Sequence, residues 1–206
     1  MATIATYASH TGKAINFFFN TKNIMFAIGR QTPWGERSDE VSSSTLIDDN
    51  HPPYPSLDTT EIEEIIGYKP YNNMYFVIPD ETSPDPIVDG VHWRKISVNA
   101  NLPKNPLDYT DEQKSLLINE VKSQKARWIY LDFQLDPTDF PNYQYRQIGL
   151  YSDLKIDSTT GATSSLKIFN ANMIVPGSGI LEVVQNRSPI TRSDDQRELI
   201  AVVLEF

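Results

Sequence analysis

Gly179-Ile180-Leu181-Glu182-Val183-Val184-Gln185-Asn186-Arg187-Ser188-Pro189 and, after a polar interval, Arg197-Glu198-Leu199-Ile200-Ala201-Val202-Val203-Leu204-Glu205-Phe206 are the two runs whose reading decides the class of this fold. Both are rich in β-branched and aliphatic residues, the mark of strands. Pro189 has no N–H to give a ladder, so the first strand is expected to stop there. A hairpin with a long polar connection is the simplest arrangement. The second run carries its apolar pattern to the last residue, where most chains fray, which predicts an edge paired inside a sheet or held by a partner. That points towards assembly.

The chain has 206 residues, room for one large domain or two small ones, and such a chain can bury about 70% of the surface its unfolded form exposes. No repeat or composition shift marks an internal boundary, so 1–206 is read as a single domain. Cysteine is absent, which removes disulfides, thiolate metal sites and cysteine nucleophiles together. The first residues carry no basic leader, and Phe17-Phe18-Phe19 is too short to span a bilayer, so a soluble, unprocessed protein with no membrane partner is expected. A net charge of −9 argues against nucleic acid, because phosphate affinity comes from clustered Lys and Arg. Aromatics at 11% and fourteen prolines describe a loop-rich globule with large side chains available for contacts.

Along the chain, Thr11 is a candidate N-cap for a short helix ending at Asn20, with Ala14, Ile15, Phe18 and Phe19 on one face. Asn23 to Arg30 reads as a strand closing in the Gln31-Thr32-Pro33-Trp34-Gly35 turn. Residues 36 to 58 read as a long surface loop, mobile at Ser42-Ser43-Ser44 and stiffened by the polyproline element Pro52-Pro53-Tyr54-Pro55. Asp58-Thr59-Thr60-Glu61 fits a capping box for a second helix, with Ile62, Ile65 and Ile66 as its stripe and Gly67 beyond its end. Met74 to Ile78 is a strand, Asp80 to Gly90 an acidic loop, and Val91 to Val98 alternates as a strand. Thr110-Asp111-Glu112-Gln113 caps a third helix, presenting Leu116, Leu117, Glu120, Val121 and Gln124 and running to about residue 125. Trp128 to Leu135 is the clearest strand, Tyr145 to Tyr151 its successor, and Asp157 to Ser165 a flexible hairpin tip. The sum is an α+β fold, predominantly antiparallel β with a sandwich-like core, about three short helices and long Pro-rich loops.

Site chemistry is sparse. His10, His51 and His92 are scattered without the i, i+4 spacing of a zinc helix. Asp48-Asp49-Asn50-His51 could offer ligands to a cation but lacks the spacing and closing Glu of a calcium loop, and a solvated loop is preferred. Nucleophile-elbow, Walker and Rossmann patterns are missing. The carboxylate pairs Glu63/Glu64 and Asp194/Asp195 are adjacent and diverge rather than converge. Neither enzyme activity, nor a cofactor, nor a bound metal is expected. Asn186-Arg187-Ser188 matches a glycosylation sequon, but Pro189 and the lack of a leader make it a chance match.

More informative are arginines placed beside prolines and aromatics: Arg30 before Pro33 and Trp34, Arg146 after Tyr143 and Tyr145, Arg187 before Pro189. A guanidinium that stacks or bonds carbonyls can fix a loop or anchor an interface. The candidates for either role are Arg30, Pro33, Trp34, Pro52, Pro53, Tyr54, Pro55, Arg146, Arg187 and Pro189. The Pro-flanked Tyr54 could be a ligand for an aromatic groove or a rigid loop packed on its own domain.

In that order, Ala27-Ile28-Gly29-Arg30-Gln31-Thr32-Pro33-Trp34, Pro52-Pro53-Tyr54-Pro55, Tyr145-Arg146-Gln147-Ile148-Gly149-Leu150 and Asn186-Arg187-Ser188-Pro189-Ile190 with the terminal apolar strand resemble the small baseplate wedge subunit of T-even-type contractile-tail bacteriophages. Lys13 and Asn16-Phe17 of the first helix fit as well, whereas the region from 80 to 125 is weakly covered, and this chain is markedly shorter. The resemblance implies a non-enzymatic, mostly β protein, made in the host cytoplasm and built into the virion. It also implies a homodimer that joins other baseplate wedge proteins and tail-fibre proteins. Two rivals are a receptor-binding or fibre-attachment module using Trp34, Tyr54 and Trp93, and a metal-dependent hydrolase using Asp48, Asp49 and His51.

Overall fold

The computed structural model describes residues 4–35, 47–193 and 195–206. The loop reading over 36–46, with Ser42–Ser44, and the Asp194 half of the Asp194/Asp195 pair lie outside the described residues. In chain order the elements are α1 (Tyr7–Asn20), β1 (Met25–Gly29), β2 (Gly67–Pro70), β3 (Asn73–Pro79), β4 (Ile87–Val88), β5 (Val91–Lys95), α2 (Asp111–Ser123), β6 (Trp128–Leu135), β7 (Gln144–Ser152), β8 (Phe169–Asn170), β9 (Ile180–Thr191) and β10 (Glu198–Glu205). Short 3-10 turns lie at Pro106–Asp108, Ser158–Thr160 and Ala171–Met173. The strands form two five-stranded sheets, β8-β2-β1-β7-β9 and β10-β6-β3-β5-β4. The pairings β1 with β2 and β7, β3 with β5 and β6, and β7 with β9 are all antiparallel, so a predominantly antiparallel β fold is what forms.

The expected terminal hairpin does not form. β9 is an edge strand beside β7 and β10 is an edge strand beside β6, each in a different sheet. Nor does Pro189 end its strand: β9 runs on to Thr191, with a register irregularity opposite Tyr145 and Gln147. An edge strand with an irregular ladder is where a residue without an N–H is tolerated. The connection between the two strands is anchored instead by the buried Arg192, whose Nε donates to the Asp139 carbonyl (3.2 Å) and whose Nη2 donates to those of Asp136 (2.6 Å) and Gln196 (3.2 Å).

The chain resolves into two compact units, each built from separate stretches. One takes residues up to Thr21, Tyr71–Phe133 and Leu199–Phe206; the other takes Lys22–Pro70 and Gln134–Glu198. In the first unit α1 begins at Tyr7, earlier than the Thr11 cap predicted, because Thr6 caps it by accepting from the Ser9 N–H at 3.3 Å. Thr11 is buried within the helix. Its apolar face packs Phe18 on Phe76 of β3 at 4.5 Å between ring centroids and Phe17 on Phe206 at 5.1 Å. α2 has the expected capping box, Gln113 N–H donating to Thr110 Oγ1 and Thr110 N–H to Gln113 Oε1. Leu117 and Val121 are buried, but Leu116 is exposed. The Asp80–Gly90 stretch, read as loop, ends in a small hairpin: Asp89 and Gly90 both take positive φ (51° and 77°), the geometry of a two-residue turn between β4 and β5.

In the second unit the helix predicted from Asp58 to Ile66 is absent. Its backbone donors are taken by the sheet: Ile62 N–H donates to Tyr151 Oη (2.8 Å), Glu63 N–H to Gln147 Oε1 (2.8 Å) and Ile66 N–H to the Ile28 carbonyl (2.9 Å). Each of these displaces an i→i−4 bond, and the stripe of Ile62 and Ile65 serves the core from an irregular crossing segment. Gly67, read as a helix stop, opens β2, a strand the sequence did not announce. The crossing lies so close to β1 and β7 that a Cβ on Gly149 would stand 2.9 Å from Ile62 Cγ2, and one on Gly29 would stand 2.3 Å from the Glu63 carbonyl oxygen. Residues 157–165 are not the tip of a hairpin either; Asp157 caps a 3-10 turn through Thr159 N–H (2.9 Å), and β8 pairs with β2.

Gly149→Ala is therefore expected to lower stability by about 1–3 kcal/mol through overpacking against Ile62, and Gly29→Ala, which meets main chain rather than a side chain, by more. Urea unfolding of the two variants checks both the sign and the order.

Candidate functional site

Two of the three loop-flanking arginines, Arg30 and Arg146, converge on one loop of the second unit. Arg30 closes β1 at positive φ (52°), and its N–H donates to the Glu63 carbonyl at 2.6 Å. Its side chain is fully buried: Nη1 donates to Glu63 Oε2 (2.9 Å), Nη2 to the Pro33 carbonyl (3.2 Å), and the guanidinium carbon lies 3.8 Å over the Trp34 ring. A cation stacked on an indole and bonded to a carbonyl and a carboxylate is held on several sides. Trp34 in turn donates from Nε1 to the Arg187 carbonyl on β9 at 2.9 Å.

Arg146, near the start of β7, grips the same loop. Its Nε and Nη2 donate to the two oxygens of Asp49 at 2.7 Å each, a bidentate pair. Nη2 also donates to Gln144 Oε1 (2.8 Å), and Nη1 donates to the Gln31 carbonyl. Asp49 closes the circuit by accepting the Trp34 N–H at 3.0 Å. Next to it, Glu64 accepts from Gln31 N–H (2.7 Å), Thr32 N–H (2.8 Å) and Thr32 Oγ1–H (2.6 Å). Glu64 itself sits at positive φ, 47°.

A second chain of amides crosses the sheet to the proline element. Gln147 accepts from Glu63 N–H and donates from Nε2 to Asn186 Oδ1 (2.8 Å), and Asn186 Nδ2 donates to the Pro53 carbonyl at 2.9 Å. Residues 49 and 53 are thus pinned, while just beyond them Tyr54 is 98% exposed and Leu57 fully exposed. Pro52 and Pro53 are half-buried and Pro55 exposed.

Arg187 makes a separate cluster with Glu198: Nη1 lies 3.1 Å from Glu198 Oε1, and its guanidinium is 5.6 Å from the Tyr145 ring. Tyr145 Oη donates to Glu198 Oε2, and Arg192 Nη1 lies 3.8 Å from that same oxygen. Burial, reinforced by that bond to Glu198, pushes the Tyr145 phenol well above its ordinary value. Pro189 lies at the β9 register irregularity opposite Tyr145 and Gln147.

The residues that complete these networks were not signalled by the sequence: Asp49 as the partner of Arg146, Glu63 and Glu64, Gln147, Asn186, Arg192 and Glu198. Nor was the buried Lys69, whose ammonium bonds Asp139. Of the aromatics read as exposed contacts, Trp34 and Trp93 are buried and only Tyr54 is exposed. The cation reading of Asp48, Asp49 and His51 meets other engagements. Both Asp49 oxygens belong to Arg146, and Asp48 Oδ1 accepts from Asn50 N–H (2.8 Å) and His51 N–H (3.0 Å). Among the described residues no group of three His, Cys, Asp or Glu could hold a metal ion, and no helix is long and apolar enough to cross a membrane.

The Arg146 hydrogen bonds hold the Asp49 carboxyl below the usual aspartate range, outweighing the opposing effect of burial. A carboxylate whose folded pKa is depressed stabilises the fold above its unfolded pKa and loses that contribution as pH falls through the folded value. Acid unfolding is therefore expected to ease when Asp49 protonates, and Asp49→Asn should remove that part of the pH dependence while lowering stability at neutral pH. Arg146→Ala should cost about 2–3 kcal/mol, with Arg146→Lys regaining less than half, because an ammonium cannot form the fork. Urea midpoints across a pH series measure all three variants.

The whole of the chain, residues 1–206, is matched by the family model described as "Baseplate wedge 3 tail fiber network component". It is also similar to "Virion protein 3" of Enterococcus phage phiEF24C, 24% identical over 196 residues that take in 93% of this chain and 88% of that protein.

Proposed function

This chain belongs to the family of baseplate wedge 3 tail fiber network components, which makes it a structural protein of the phage virion's tail baseplate, and we propose that within it the chain joins neighbouring wedge proteins through surfaces held rigid by its buried arginines. The observation that carries this reading is the 49–57 segment. Arg146 and Asn186 fix it at Asp49 and at the Pro53 carbonyl, yet it holds Tyr54 and Leu57 wholly in solvent. Two large apolar side chains on a pre-ordered, proline-stiffened element are costly to leave in water and lose little entropy on docking. Loop fixing and interface are then one arrangement: Arg30, Trp34, Arg146 and Arg187 fix, and Pro52, Pro53, Tyr54 and Pro55 present.

The role is mechanical. Its interfaces hold the baseplate before contraction and rearrange when the host is bound. No catalytic step is required, and the four passages of the chain between the two units favour their working as one wedge-like domain that carries the resemblance's homodimer. A second reading, attachment of a tail fibre, is favoured by the words of the family description and would use the same exposed segment.

Tyr54→Ala combined with Leu57→Ser is expected to leave the urea midpoint unchanged and to weaken entry into a complex with the other tail proteins of its phage by about ten-fold or more. Light scattering of the purified chain, alone and mixed with those proteins, reads the effect. A wild-type chain that stays monomeric and ignores every tail protein would sink the proposal; a double variant that assembles normally would remove this segment from it.

A further inference from the structure

The second sheet leaves an open edge with the means to bind. In its strand order β10-β6-β3-β5-β4 the first and last strands are four spacings apart, about 19 Å if the sheet were flat. Yet Ile87 and Val88 of β4, Leu199 and Ala201 of β10 and Tyr130 of β6 line one groove of about 470 Å³, so the sheet is coiled until its two edges flank a gap. The floor is apolar, joined to the Val77, Val88, Trp93 and Tyr130 cluster on which Ala201 and Val203 pack. Ile87 is 51% and Leu199 64% exposed on its walls. The charged residues lining it are Asp85 and Asp89, with no Lys or Arg among them.

The main chain of β10 makes the gap specific. Phe206 N–H donates to the Arg127 carbonyl next to β6, so alternation along an antiparallel strand turns the amides of Ala201, Val203 and Glu205 towards the open side. Among the described residues no strand pairs with that side. Natural edges are blunted by proline, lysine or bulges. β9 has Pro189 and two register irregularities, whereas Leu199-Ile200-Ala201-Val202-Val203-Leu204 has neither proline nor lysine and is apolar at every position.

Building on the wedge reading, we infer that this gap receives an extended segment of a neighbouring baseplate protein, paired to β10 by strand addition, in which apolar residues alternate with Lys or Arg. The apolar side chains fill the groove, the free amides and carbonyls of β10 complete a ladder, and the basic residues meet Asp85 and Asp89. A second copy of this chain is the poorer occupant, because its own β10 is apolar from Leu199 to Leu204 and would bring no Lys or Arg to Asp85 and Asp89.

Hydrogen–deuterium exchange of the peptide over 199–206 is compared between the purified chain and baseplates isolated from the phage. About three amides should change from fast to slow exchange in the baseplate, the number that alternation turns outwards. Leu199→Lys, and Asp85→Asn with Asp89→Asn, all at exposed positions and with Asn suited to the positive φ of residue 89, should keep the urea midpoint and reduce incorporation into particles at least ten-fold. If the chain is present in baseplates but exchange over 199–206 is unaltered, the inference falls and the wedge reading stands. If the chain is absent from baseplates, both fall. A homodimer of the free chain abolished by Leu199→Lys would give the edge to a second copy and overturn the inference.

Discussion

Two guanidinium groups that cannot lose their charge are buried at the end of one sheet, and the second unit is arranged around what they require. Arg30 and Arg146 are almost wholly out of water. A buried cation without partners costs several kcal/mol, so acceptors must be delivered to fixed places. Those acceptors come from far along the chain: Asp49 and Glu63 as carboxylates, Gln31 and Pro33 as carbonyls, the Trp34 ring as a stacking face. Each places a different piece of irregular chain. The result is that a stretch without regular secondary structure, 31–35 and 47–66 among the described residues, has its geometry set by side chains of β1 and β7. Such a network gains less in net stability than in definition, since a displaced loop would strand a charge.

This also explains which parts of the molecule could be read in advance. α2, β3, β6 and β7 were legible because their signals are local: a capping box whose two halves are three residues apart, and strand runs punctuated by proline. The helix read at 58–66 had equally good local signals and does not exist. What overrules them is a tertiary demand, since Tyr151 and Gln147, some eighty residues later in sequence, take the N–H groups a helix would need. No window of the sequence contains that information. The arginines were legible as a class, by their proline and aromatic neighbours, but the partners were not: Asp49 in a polar stretch looks like any solvated carboxylate until Arg146 is placed beside it.

The terminal runs fail for a related reason. Two apolar segments joined by a polar connection satisfy the hairpin pattern equally well when each pairs elsewhere, because periodicity reports that a strand exists and not which neighbour it has. The deciding residue is Arg192. Buried in the connection, with its donors on the carbonyls of Asp136, Asp139 and Gln196, it ties the exit of β9 to the exit of β6 rather than letting a tight turn form. A buried arginine inside a polar interval is the one sequence signal that could have been heard, and it is indistinguishable from a solvent-exposed one until its acceptors are known.

The same topology orders the completion of the first unit. β3, β4, β5, α2 and β6 come from the continuous stretch Tyr71–Phe133, whereas β10 joins β6 only after some sixty residues spent on the other unit. Closing so long an interval has a modest entropic cost, since the penalty grows only with the logarithm of length, by about 0.6 kcal/mol per doubling. The demand falls on specificity instead: β10 must find one edge of a sheet that is otherwise formed. Phe206 supplies part of that discrimination through its ring contact with Phe17, and the Arg127–Glu205 pair supplies more by matching the last residues of β10 to the first of β6. Both contacts act at one end of the strand and on its inner side. They fix the register of β10 against β6 without consuming its outer amides, and it is this separation of register from edge chemistry that leaves a well-positioned strand free to be extended by another chain.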